Sequence, residues 1–331
     1  MKKLKLLLAL LAIVFSSNNK YGQDNSDYLV ENALNGFEFR SIGPAFMSGR
    51  IADIAINPSN ENKWYVAVGS GGTWKTENAG TTWIPLTDDE SFYSTGCITI
   101  DPNNHDKIWL GTGENVGGRH VGIGHGIFVS HDSGDTWTDM GLNESEHISK
   151  IIVHPDNSNI IWVASQGPLW NSGGDRGLFK SIDGGKTWSN KLYVNEWTGV
   201  TDLLIDPKNP NILYAATWQR HRNVAALIDG GPGTSIYKSL DGGDNWEKID
   251  SGLPSSNMGK IGLAISPMKP NVIYAAIELD RRNGAVYRSE NSGGTWIKMS
   301  NTVSGGTGPH YYQELVASPF VFDKIYLMNV R

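Results

Sequence analysis

The sequence predicts an all-β chain assembled from repeated four-stranded units. Three observations carry that prediction: the composition, a turn motif repeated five times, and a proline-ended strand pattern repeated six times. Glycine makes up 39 of 331 residues, against a usual share of about 7%. Twelve tryptophans and twelve tyrosines accompany only 19% charged residues. Such a chain is too aromatic and too weakly charged for disorder. Its glycines lack a three-residue period, which excludes collagen. Short strands joined by tight turns suit this composition. The formal charge of −6 gives no electrostatic reason to expect a nucleic-acid partner.

The chain opens with Lys2, Lys3 and Lys5, followed by an unbroken apolar run over residues 6–15. That run is too short to span a bilayer and has the length of a signal peptide. Residues 1–22 therefore read as an export signal and 23–36 as a linker. Losing the signal also loses Lys20 and moves the net charge from −6 to −10. No other segment is apolar enough to span a membrane as a helix. Cys97, the only cysteine, lies in an apolar strand pattern and reads as a small buried hydrophobe.

The turn motif occupies residues 76–83, 130–137, 181–188, 239–246 and 289–296. Each copy carries Ser or Thr, then Asn or Asp two residues later, then Gly, and closes on Trp. The acid or amide positions are Asn78, Asp132, Asp183, Asp241 and Asn291; the tryptophans are Trp83, Trp137, Trp188, Trp246 and Trp296. Asp and Asn can bond to backbone two residues on, and Gly accepts a positive φ, so the motif reads as a structural turn. The Trp is expected to anchor the returning strand by burying a large surface. A lone carboxylate per copy has no partner ligands for a metal. This is the Asp-box, or bacterial neuraminidase, repeat.

Before each turn comes an apolar strand ending near a proline (Pro58, Pro102, Pro155, Pro207, Pro267, Pro319), then an aromatic-centred strand. Each unit of roughly 50 residues thus holds four strands, A to D. Four-stranded units at this period are β-propeller blades. Residues 37–331 are read as five blades and the first two strands of a sixth, the expectation being an N-terminal part of a longer chain. Its missing C-terminal part would then be a partner.

Antiparallel alternation puts the A–B and Asp-box turns on one face and the B–C loops on the other. The B–C loops vary most in length, and function concentrates in such loops. The ligand candidates there are Glu114, Arg119, His120, Trp170, Arg176, Trp218, Arg220, Arg222 and Arg281. Trp beside Arg and carboxylate suits sugar stacking or capture of an acidic peptide; Trp170 and Trp218 also suit a plug between blades. His120 and His125 lack a third ligand, so no metal and no cofactor is expected. Aligning the A strands on their prolines places Asp53, Cys97, Lys150, Asp202, Gly262 and Glu314 at one position. Of these, Asp53, Lys150, Asp202 and Glu314 are expected around the upper channel, the carboxylates being weak catalytic candidates.

The chain resembles large bacterial exported proteins with a sortilin N-terminal-type propeller, often labelled glycosyl hydrolases. The residues that carry the resemblance are 39–44, Gly49-Arg50-Ile51 through Ala55, Gly111 to Asn115, Gly230 to Gly233, and Tyr311-Tyr312. The resemblance covers most of 37–331 and implies a much longer protein. Xyloglucan-cleaving propellers are similar and imply a carboxylate pair. Their first blade carries an Asp where strand B meets a Gly-Gly turn; the matching residue here is Gly69, and their second carboxylate lies on a later propeller. Sialidases use three arginines and a Tyr–Glu pair, which Arg50, Arg119, Arg176 and Tyr312 would have to supply. Three functions stay open. One is an exported scaffold binding a protein, peptide or glycan on its B–C loop face. The others are a glycoside hydrolase and a structural module of a surface complex.

Overall fold

The protein is described from a computed structural model over residues 49–280, 283–301 and 313–328. The expected signal (1–22), the linker (23–36), the 39–44 stretch, Arg281 and Tyr312 lie outside those residues. Among the described residues every regular element is a strand. The first sheet holds β1 (Ile51–Ile56), β2 (Trp64–Val68), β3 (Gly72–Thr76) and β4 (Ile84–Pro85). The second holds β5 (Thr95–Asp101), β6 (Asn104–Thr112), β7 (Ile127–Ser130) and β8 (Thr138–Asp139). The third holds β9 (Ile148–His154), β10 (Asn157–Ser165), β11 (Gly177–Ser181) and β12 (Ser189–Leu192). The fourth begins with β13 (Thr198–Asp206) and β14 (Asn209–Gln219) and carries a small hairpin, β15 (His221–Arg222) with β16 (Leu227–Ile228). It closes with β17 (Ile236–Ser239) and β18 (Glu247–Lys248). The fifth holds β19 (Ile261–Ile265), β20 (Ile273–Asp280), β21 (Asn283–Ser289) and β22 (Ile297–Ser300), and β23 (Glu314–Ala317) pairs with β24 (Ile325–Met328). All pairs are antiparallel, the strands of each sheet follow chain order, and the first strands of successive sheets lie side by side, as in β-propeller blades.

Packing follows the period-two alternation of a strand. The aromatic of each second strand faces the next sheet: Tyr65 packs with Ile98, Trp109 with Ile151, Trp162 with Leu203, Tyr214 with Leu263 and Tyr274 with Leu315. Each junction between sheets is its own small core, and each such residue contributes about 1.5–3 kcal/mol by burial. Ile54 of β1, the counterpart of those aliphatic residues, is 52% exposed because no sheet precedes it among the described residues.

The Asp-box turns share one bonding scheme. In the second sheet, Ser130 Oγ donates to Asp132 Oδ1 (2.7 Å) and accepts from Gly134 N (2.7 Å). Asp132 in turn accepts from Thr136 N (2.9 Å) and Thr136 Oγ1 (2.6 Å). Asn78, Asp183, Asp241 and Asn291 repeat the scheme. Those donors hold Asp132 and Asp183 at about 2, well below the usual carboxylate range. Trp137 and Trp188 donate to the preceding sheet at Leu86 O (3.1 Å) and Met140 O (2.8 Å). Trp296 is buried, whereas Trp83 is 40% exposed on the uncovered face of the first sheet and buries less than the motif predicts.

Candidate functional site

The loop face is built by side chains that reach from one loop to the next. The loop after β6 crosses it. Arg220 donates to Val116 O (2.7 Å) and Gly167 O (3.2 Å), and Arg222 donates to Gly117 O (3.0 Å). Arg176 holds its own loop through Gln166 O (2.7 Å), Asn171 O (3.2 Å), Gly173 O (3.2 Å) and Pro168 O (2.5 Å). All three arginines are buried. Trp218 is buried too, between the Arg220 guanidinium (5.2 Å) and the Lys260 ammonium (5.5 Å). Trp170 is half-buried on Val116, Val121 and Leu169.

These residues are therefore corrections to the sequence reading. Arg176, Arg220, Arg222 and Trp218 are buried within the loop face and are not solvated loop side chains. Backbone carbonyls left unpaired by loop geometry take the arginines, since a buried guanidinium needs acceptors. Arg119 and His120 remain exposed, with Arg119 donating to Val224 O (3.1 Å). Residues 278–280 and 283–284 belong to paired strands and not to a loop: Glu278 pairs with Gly284 and Asp280 with Asn283 across β20 and β21. The sialidase arrangement does not assemble, because Arg50, Arg119 and Arg176 each serve a different partner.

At the first sheet, Arg50 grips a carboxylate from the second. Its Nη2 donates to Glu114 Oε2 (2.7 Å) and Ser70 Oγ (3.1 Å), and its Nε bonds Glu114 Oε1. Glu114 is fully buried. A Cβ on Gly69 would stand 2.7 Å from the Glu114 carboxyl carbon. The carboxylate thus fills the space that a side chain at residue 69 would take.

The axis brings Asp53, Lys150, Asp202 and Glu314 together around one cavity of about 160 Å³. β-Bulges prepare this ring. Ala52, Gly96, Ser149 and Thr201 are each an extra residue in β1, β5, β9 and β13, immediately before the axial position. In β19 the register runs on unbroken, and the axial residue is Gly262, whose Cβ would lie 1.7 Å from Gln313 O. Asp53 and Asp202 also join sheets. Asp53 accepts from Ile54 N (2.9 Å) and Ile98 N (3.0 Å), and Asp202 from Leu203 N (2.8 Å) and Leu263 N (2.7 Å). The carboxylates, Asp53 foremost, raise Lys150 above its ordinary value. Burial pushes Asp202 and Glu314 up despite the nearby lysines. Burial, chiefly, also raises the Cys97 thiol.

Next to the ring lies a buried group that the sequence reading passed over. Lys260 donates to Asn115 O (2.7 Å), and burial lowers its pKa to about 8. Asp229 and Glu278 flank Gly259: a Cβ there would lie 3.0 Å from Asp229 O and 3.3 Å from Glu278 Cβ. Burial raises Asp229 to about 7 and Glu278, which also senses Asp229, to about 8. Both Asp229 oxygens and Glu278 Oε2 are buried without a hydrogen bond. His147 is buried with neither ring nitrogen bonded, and desolvation lowers it well below its usual value.

With this geometry in hand, comparison with known proteins places the fold. The family profile described as "Sortilin, neurotensin receptor 3" matches residues 125–255. The fold is a β-propeller, sortilin-like over those residues. A probable oligoxyloglucan-reducing end-specific xyloglucanase of Neosartorya fischeri is 29% identical over 241 residues, 68% of this chain and 26% of that protein. A xyloglucanase of a Paenibacillus species is 24% identical over 295 residues, 80% of this chain and 27% of its own. The crystal structure of an ancestral GH74 enzyme matches with a TM-score of 0.64 and 24% identity, over 86% of this chain and 35% of that one. That of the Niastella koreensis GH74 enzyme gives 0.60 and 19%, over 82% and 42%. The propeller is therefore glycoside-hydrolase-like, and it spans about a quarter of the length of these curated relatives. Among the described residues no helix is long and apolar enough to cross a membrane.

Proposed function

We propose that this chain is the glycan-engaging propeller of an exported, glycoside-hydrolase-like protein, and that its ligand is a xyloglucan-type β-glucan. The observation that carries the reading is the Glu114 carboxylate, held by Arg50 in the space above Gly69. The resemblance to xyloglucan-cleaving propellers implies a first-blade carboxylate at this turn. Here the carboxylate arrives from the second sheet instead. Similarity at 29% identity to a probable xyloglucanase over 68% of the chain supports the same ligand class. Arg50 takes both oxygens of that carboxylate, and the rim of the pair suits sugar hydroxyls better than proton donation would. Cleavage requires a second carboxyl about 5–10 Å away. Binding is therefore the activity assigned to this chain. Export rests on the basic and apolar start of the sequence.

Isothermal titration with xyloglucan oligosaccharides tests this. Saturable binding that Glu114→Gln weakens about tenfold is the expected result, with no reducing ends released. Release of reducing ends would replace the binding reading with the hydrolase one. No binding to xyloglucan or to unbranched β-glucan would end the carbohydrate reading. Amino-terminal sequencing of the mature protein, expected to begin between residues 18 and 24, tests export.

A further inference from the structure

We propose that the axial cavity is a second, separate site, one that binds a primary ammonium group carried on a short apolar stem. Strand direction sets the layers of this shaft. Each first strand runs from the loop face toward the Asp-box face. The charged ring of Asp53, Lys150, Asp202 and Glu314 therefore lies nearer the loops. Leu204 and Val316, two residues further along their strands, line the shaft below it.

Hydrogen bonds knit the loop end of the cavity. Lys260 Nζ bonds Asn115 O (2.7 Å), and Gln313 Nε2 bonds Lys260 O (3.1 Å) and Ala276 O (2.8 Å). The charged layer is the floor of the cavity, and Leu204 and Val316 are its apolar collar. At about 160 Å³ it has room for several heavy atoms, far more than one water needs.

Charge chooses the ligand. Three carboxylates face two lysines, and one of those lysines already serves Asn115 O. Asp53 and Asp202 use oxygens on backbone N–H groups. Among the described residues, the Glu314 carboxylate has neither a hydrogen bond nor an ion pair, and no carboxylate lies within 4.0 Å of Lys150 Nζ. The floor is thus short of positive charge, and burial pushes Asp202 and Glu314 up despite the two lysines. A bare metal ion fits less well: among the described residues no three acidic, His or Cys side chains converge on one point. An ammonium with an apolar stem matches both floor and collar.

The test uses the intact chain, n-butylammonium chloride as the probe, and sodium butyrate and n-butanol as controls, in low-salt titration calorimetry at pH 7. Saturable binding of butylammonium alone is expected. Glu314→Gln should weaken it about tenfold or more, since a buried charge partner is lost while no bond within the fold is broken. Lys150→Met should tighten it by removing the competing cation, an effect that a purely structural ring would not produce. Absence of saturable butylammonium binding to the unmutated chain, equal binding of butyrate, or an unaffected Glu314→Gln protein would overturn the proposal. Xyloglucan titration of the same samples keeps its failure distinct from that of the glycan reading.

Discussion

Replacing Glu278 by Gln should make the propeller more stable at pH 8 and reduce the loss of stability between pH 5 and 8. Glu278 is buried, one of its oxygens has no partner, and it faces Asp229 and Lys260. Its carboxyl is raised from an ordinary value near 4.3 to about 8. A raised carboxyl holds its proton more tightly in the native state. Its stability contribution is therefore complete below about pH 4 and is lost as pH rises through 8. At about 1.4 kcal/mol per pH unit, the upper figure is about 5 kcal/mol. Asp229, raised to about 7, acts in the same direction over about pH 4 to 7. Lys260 acts oppositely and elsewhere. Burial lowers it to about 8, so its penalty is complete below pH 8 and is relieved between about 8 and 10.5. Urea denaturation followed by tryptophan fluorescence at pH 5, 6, 7 and 8 isolates the carboxyls. Glu278→Gln should match the unmutated chain at pH 5 and exceed it by about 2 kcal/mol or more at pH 8. An unchanged slope, or a variant less stable at pH 8, would refute the reasoning.

Three further outcomes follow from packing and bonding. Gly262→Ala should cost more than about 3 kcal/mol in denaturant, because the new Cβ would meet the Gln313 carbonyl at 1.7 Å and backbone would have to move. Asp132→Asn should leave the melting temperature nearly unchanged, whereas Asp132→Ala should lower it; Asn78 and Asn291 already make the same turn with Nδ2 donating to a threonine hydroxyl. Arg220→Met should destabilise by about 2–4 kcal/mol, since Val116 O and Gly167 O lose their buried donor, and limited proteolysis should then cut within residues 111–126.

The fold was legible because its signals are local and repeated. Asp132 meets Ser130 and Thr136 within six residues, so the box is written in one stretch of sequence. The axial ring was legible for a related reason. A proline fixes the register of each first strand and strand alternation fixes the face, so Asp53, Lys150, Asp202 and Glu314 align without any knowledge of tertiary contacts. The loop residues had no such rule. Arg220 bonds Val116 O, 104 residues away, and Arg222 bonds Gly117 O, 105 away. Residue type alone makes them look like ligand-binding arginines. Asp229 and Glu278 escaped notice because neither sits in a motif, and burial alone gives them their chemistry.

The same distinction bears on where chemistry can happen. Side chains that complete the loops' own hydrogen bonds are not available to a ligand, and Arg176, Arg220 and Arg222 are of that kind. Glu114 is partly so, since Arg50 already holds both of its oxygens. A glycan would then meet the rim of that ion pair and would not replace it. Glu314 differs, because among the described residues the fold asks nothing of its carboxylate. A buried charge without a partner is costly to keep. Asp53 and Asp202 repay their position by joining neighbouring sheets, and Glu314 does not. If Glu314 is kept for the fold alone, Glu314→Gln should be destabilising with no change in what the shaft binds. If it is kept for a ligand, the same substitution should stabilise the empty protein and weaken butylammonium binding together. Melting temperature and titration on one pair of samples separate the two.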